Sequence, residues 1–118
     1  MKNEWVGTSY HDDVIRLPYD EIVKRIGEPT HSYGYEHFDK VQQEWKLMTD
    51  ENVPFTIYDW KEYERDVTDG DEVEWHIGHH NNKGNIESIV IWLSERGVKV
   101  EKDRWYQIFF NKKLTKED

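Results

Sequence analysis

Cysteine is absent, which excludes disulfides, a thiolate nucleophile and every Cys-based zinc site. No apolar run is long enough to span a bilayer, and the opening stretch MKNEWVGTSYHDD lacks the charged-then-apolar pattern of a signal peptide. A soluble protein of the cytoplasm is therefore expected, with no membrane partner. Positive charge is scarce: 16 Lys plus Arg face 25 Asp plus Glu, a formal net charge of −9. The summed field repels nucleic acid and favours a basic partner, so direct nucleic-acid binding is not expected. Catalytic signatures are missing as well. Ser9, Ser32, Ser88 and Ser94 lie in no nucleophile-elbow context, and no Gly-rich phosphate loop follows a strand. The sequence assigns no catalytic residue, no metal ligand and no cofactor.

What the chain does hold is aromatic side chains: six Trp, seven Tyr and four Phe within 118 residues. The length fits a single domain with one modest core, and the rings supply most of the area that core can bury. A surplus of rings on the surface would suit an interface. Residues 17–97 read as the body of the domain, and residues 111–118 should fray.

Hydrophobic periodicity organises the middle of the chain into three strands. Val41, Trp45 and Leu47 share one parity, as do Phe55 with Ile57, and Val73 with Trp75 and Ile77; this is the period of half-buried strands. The opposite parities carry Gln42, Glu44 and Lys46, then Thr56, Tyr58 and Trp60, then Glu74 and His76. They define a polar outer face with two large aromatic residues among charges. A short turn, Thr49-Asp50-Glu51-Asn52, joins the first two strands as an antiparallel hairpin. The second connection, residues 61–71, is rich in Asp and Glu and reads as a solvated loop.

On either side of the meander the period changes. Residues 5–10 and 14–17 are β-prone pieces separated by His11-Asp12-Asp13, forming a hairpin or one interrupted edge strand. Pro18 opens a helix with Tyr19, Ile22, Val23 and Ile26 on one face, stopped by Gly27 and Pro29. Residues 31–38 have no clear period and read as a loop. A second helix carries Ile86, Ile89, Val90 and Leu93 on one stripe, widened by Ile91 and Trp92, with Asn85 at the N-cap and Gly97 ending it. Val98 and Val100 alternate, and residues 105–110 (WYQIFF) read as a last strand. The predicted fold is α+β in the order β-α-β-β-β-α-β, a mainly antiparallel twisted sheet with two amphipathic helices on one face.

Three constellations could carry chemistry. His76-Ile77-Gly78-His79 spells the four-letter signature of class I aminoacyl-tRNA synthetases, but an antiparallel meander in a chain this short is the wrong setting for a doubly wound nucleotide-binding domain. His76, His79 and His80 are all imidazole donors, yet adjacent His79 and His80 should diverge, and loop histidines are the plainer reading. The loop leading into the second helix offers free amides and the positive end of a helix dipole, which suits a phosphate or carboxylate, with Lys83 and His79 nearby. Glu44 and Glu74 each precede a tryptophan and should point outwards, near Tyr58 and His76.

The patterns D-K-V-x-x-E-W (Asp39 to Trp45), I-Y-D-W-K (Ile57 to Lys61) and E-W-H-I-G (Glu74 to Gly78), following a helix that closes on Ile26-Gly27-Glu28-Pro29, resemble small uncharacterised proteins of bacteriophages and other large DNA viruses. The resemblance covers about residues 17–97. It implies an accessory viral protein that inhibits or sequesters a host or defence component in the host cytoplasm. Two modes follow: an acidic, aromatic-rich surface that occupies a basic protein, or an oligomeric sponge for an anionic nucleotide built on residues 76–85. A His-centred metal or nucleotide enzyme using His76 and Glu74 is the reading outside binding. The expected binding residues are Glu44, Tyr58, Trp60, Glu74, His76, His79 and Lys83.

Overall fold

The computed structural model describes residues 3–35, 40–81 and 84–104. Its elements run β1 (Ser9–Pro18), α1 (Tyr19–Ile26), β2 (His31–Ser32), β3 (Gln43–Met48), β4 (Pro54–Tyr58), β5 (Glu72–His79), α2 (Asn85–Ser94) and β6 (Glu101–Lys102). The strands form one antiparallel sheet in the order β2-β3-β4-β5-β1-β6, so the fold is α+β as the periodicity predicts. Among the described residues the two outermost strands are each two residues long. No helix among the described residues is long and apolar enough to cross a membrane.

The inward parities are those read from the sequence. Trp45, Phe55, Ile57, Val73, Trp75 and Ile77 are buried in one cluster with Ile15, and Leu17 and Leu47 pack against it. Both helices close over this face. α1 contributes Ile22, with Tyr19, Val23 and Ile26 at its margin, and α2 contributes Ile89, Trp92 and Leu93. Two of the core indoles also satisfy their N–H groups: Trp45 donates to the Gly27 carbonyl at 2.9 Å and Trp75 to the Leu17 carbonyl at 2.8 Å. The core therefore fastens both ends of α1 to the sheet.

Several expectations need correction. Residues 5–8 form a turn rather than a strand, while 9–18 form one interrupted strand, and that strand lies inside the sheet between β5 and β6 instead of at its edge. The His11-Asp12-Asp13 interruption is a bulge, where the register shifts between Tyr10 and Val14 and Asp12 takes φ 69°. Val41 precedes β3 and is not in the core cluster; it lines a cleft with Glu44 and Tyr58. Residues 31 and 32 pair with β3 instead of remaining loop. Glycine 84, at φ 94°, caps α2, and Asn85 is the first helical residue, its side chain donating to the His80 carbonyl. Gly97 closes the last turn as expected: at φ 76° its amide bonds the Ser94 carbonyl while that of Val98 reaches Leu93, the Schellman pattern. Val90 and Ile91 face solvent, Ile91 being 60% exposed, so α2 turns only part of its apolar stripe inwards. The predicted strand over 105–110 and the frayed tail lie outside the described residues.

The 61–71 connection is more than a solvated acidic loop. Val67 is fully buried, and Gln42, read from the sequence as an outer-face residue, is buried beneath the loop. Its amide donates to the Glu62 and Arg65 carbonyls, both at 2.8 Å, and its oxygen accepts from the Val67 amide at 3.0 Å. Arg65 ties the far side, bonding Asp69 and the carbonyls of Asp71 and Glu72. Glutamine suits this position because it donates twice and accepts at once, and three backbone groups here require both.

Candidate functional site on the outer sheet face

Register brings the predicted outer residues together. Glu44 pairs with Tyr58, Tyr58 with His76, and His76 with Val14, so one row crosses four strands. Opposed residues in such a ladder stand close enough for ring contacts. Tyr10 adds a residue that the sequence does not point to, stacking on His76 with centroids 4.0 Å apart at 13°. Tyr58 meets the same imidazole edge-on at 5.7 Å, and Trp60 meets Tyr58 at 6.2 Å. The result is a continuous aromatic strip: Tyr10, His76, Tyr58, Trp60. Trp60 is 41% exposed, with the ammonium groups of Lys40 and Lys61 over its ring at 5.9 and 5.6 Å.

Acidic groups border the strip. Glu74 is held by Arg16, with Nη2 at 3.1 Å from Oε2, and Arg16 also reaches Glu101 at 3.6 Å. The Tyr10 hydroxyl donates to Asp103. Burial and the adjoining Asp103 push the Tyr10 phenol up, and burial with Glu44 does the same to Tyr58, so both remain protonated donors at neutral pH. Burial moves the His76 imidazole down, outweighing the opposing pull of Glu74, Asp103 and Asp12, so it is neutral at pH 7. Two clefts flank the strip. One of about 310 Å³ is lined by Trp5, Val41, Glu44, Thr56, Tyr58 and Trp60, with Trp5 fixed by its indole N–H to the Leu47 carbonyl at 2.9 Å. The other, about 390 Å³, lies among Arg16, Arg65, Glu74, Asp103 and Arg104.

Gly78 belongs to this face for a steric reason. A Cβ there would sit 2.5 Å from Thr56 Oγ1 and 3.4 Å from a Tyr58 ring carbon. The glycine in the His-Ile-Gly-His string is thus explained by strand packing across β4, with no nucleotide needed.

His79 does not join the site. It ends β5 on the inner face, nearly fully buried, and so differs from the loop residue read from the sequence. Its Nε2 is 3.7 Å from Asp13 Oδ2, an ion pair too long for a hydrogen bond, while Nδ1 donates to the His80 carbonyl at 2.9 Å. Lys102 approaches Asp13 at 2.9 Å from the other side, and the His11 ring lies 4.7 Å from that of His79. Lys83 lies outside the described residues. Of the seven residues expected to bind, Glu44, Tyr58, Trp60, Glu74 and His76 share the outer face; Tyr10, Arg16 and Asp103 are additions. Arg16 could have been found by extending the Val14 alternation. Asp103 depends on the β1–β6 register and left no local signal.

Comparison with protein-family models, with curated proteins and with solved structures gives no match.

The Asp13–His79 pair sets a pH window. Asp13 holds the His79 imidazole above its ordinary 6.5 despite burial, so its contribution is complete below pH 6.5 and is lost as pH rises through the raised value. Burial alone would push the Asp13 carboxyl up, but His79 and Lys102 outweigh it and hold it below 3.8. That part is present above pH 3.8 and is lost as pH falls through the lowered value. The pair is strongest between these limits. The stability difference between wild type and His79→Gln, from urea unfolding, is expected to be larger at pH 5.5 than at pH 8.5. An equal difference at both pH values would remove the ion pair from the account.

Proposed function

We propose that this chain is a non-enzymatic binding protein that engages a basic segment of a protein partner through its outer sheet face. The observation that carries the reading is the aromatic strip from Tyr10 to Trp60, open at the Trp60 end and edged by Glu44, Glu74 and Asp103. Aromatic anchors within a polar, charged rim are the usual anatomy of a protein interface. A net charge of −9 adds long-range attraction for a basic surface. The resemblance to phage-encoded proteins supports a host or defence component as that partner and inhibition as the outcome. The nucleotide-sponge mode has less support, since His76 and His79 lie on opposite faces of the sheet.

The test is capture of host-cell proteins on the immobilised chain, washed at low and then high salt, in parallel with Trp60→Ala and Glu44→Lys. A stoichiometric basic partner should be retained at low salt, released at high salt, and held at least tenfold more weakly by either variant. Retention that is indifferent to salt and to both substitutions would place the interface elsewhere.

A further inference from the structure

Glu74 and His76 stand two apart on β5 and so point to the same face. The short β6 strand brings a third group to them. Lys102 and Glu101 pair with Asp13 and Val14, and the Asp103 amide then donates to the Asp12 carbonyl at 2.9 Å, anchoring its backbone beside β1. One donor atom from each of Glu74, His76 and Asp103 lies within 4.8 Å of the other two. We propose that Glu74, His76 and Asp103 form a binding site for a divalent first-row transition-metal ion of the zinc or manganese class.

The donor set selects that class. One imidazole with two carboxylates is too rich in nitrogen for a calcium or magnesium cage, and without thiolate it does not favour copper(I) or an iron–sulfur cluster. Metal–ligand bonds of about 2.0–2.2 Å require the donors to approach within about 3–3.5 Å of one another. The donors now lie within 4.8 Å, so binding requires the side chains to draw together, and Glu74, with three torsions, has the most freedom to do so. Metal ligands are ordinarily oriented by outer hydrogen bonds, and such partners are already present. Arg16 holds Glu74 at 3.1 Å; Tyr10 donates to Asp103 and stacks on His76. A dication would neutralise the charge of the two carboxylates, of which Glu74 is paired with Arg16. Three protein donors leave at least one coordination position for water or for a group of another molecule.

The inference does not rest on the partner-binding reading, because it is measured on the chain alone. Isothermal titration of the full chain with Zn²⁺, and separately with Mn²⁺, should give one ion per chain, with Mg²⁺ bound far more weakly. Glu74→Gln and Asp103→Asn preserve shape and should each weaken binding more than tenfold, as should His76→Gln. Tyr10→Phe, which removes only the hydroxyl that orients Asp103, should weaken it by about 10–100-fold. His31→Gln and His80→Gln, outside the cluster, should leave affinity unchanged. Visible absorption of the Co²⁺ form should change in His76→Gln, tying the ion to that ring. Should His76→Gln fail to fold, the two carboxylate variants decide alone. Absence of saturable binding, or affinity that ignores Glu74→Gln and Asp103→Asn while following His80→Gln, would overturn the assignment.

Discussion

Replacing Trp75 by alanine is expected to cost about 3–5 kcal/mol, the range for deleting a large buried ring. Trp75 is fully buried on β5, the strand flanked by β4 and β1. Its indole meets Trp45 edge-on at 5.2 Å and lies 6.4 Å from the Tyr19 ring, so β3 and α1 lose a common packing partner. The alanine also leaves the Leu17 carbonyl, at the junction of β1 and α1, without its donor. A domain of this size holds a total stability on the order of 5–15 kcal/mol, so this single change removes a large share. Urea unfolding should show a lower midpoint with an unchanged slope. Trp75→Phe, which keeps a large ring in the cavity but loses the N–H and part of the volume, should cost clearly less. A loss below about 1 kcal/mol for the alanine variant would mean that the indole is not the centre of the core.

The second large effect is polar. Asp59→Ala should destabilise the chain by about 2–5 kcal/mol, because two buried amides lose their acceptor and each such orphan costs about 1–3 kcal/mol. Asp59 is fully buried just after β4, and its carboxylate accepts from the Gln42 amide at 2.9 and 3.0 Å and from the Gln43 amide at 2.8 Å. Burial pushes its carboxyl up while these amides pull it down, which is the balance expected of an acid held by dipoles alone. The same Gln42 supports the 61–71 loop through its side chain, so Asp59 lies beneath β3, β4 and the loop together. Asp59→Asn retains an acceptor oxygen and should lose less. Hydrogen exchange provides the check: the Gln42 and Gln43 amides should exchange faster in the alanine variant, whereas unchanged protection would show that water replaces the carboxylate at no cost.

Local period made most of the sheet readable. The inward parities of β3, β4 and β5 follow from alternation within five to eight residues, and the outer row Glu44–Tyr58–His76 follows once adjacent strands are joined by turns. What escaped depends on register between distant segments. The Asp12 bulge decides that Asp13 meets His79, and the β1–β6 pairing decides that Asp103 meets His76; neither has a signature in its own neighbourhood. Residue type misled at two places. Gln42 looks like surface but is buried because its amide meets three backbone groups, and Val90 and Ile91 look like core but sit on the solvent side of α2.

The position of β1 between β5 and β6 has a kinetic consequence. β3, β4 and β5 follow one another along the chain, whereas β1 meets β5 across separations such as the 58 positions between Arg16 and Glu74. Closing so long a loop costs more entropy than closing a hairpin, so the meander is the natural nucleus and β1 the late arrival. Tyr10 and Arg16 travel with β1, and β6 with Asp103 can pair only after it. The aromatic strip and its acidic border are thus completed by the final docking step, and a chain that stalls before it would hold a sheet without a site.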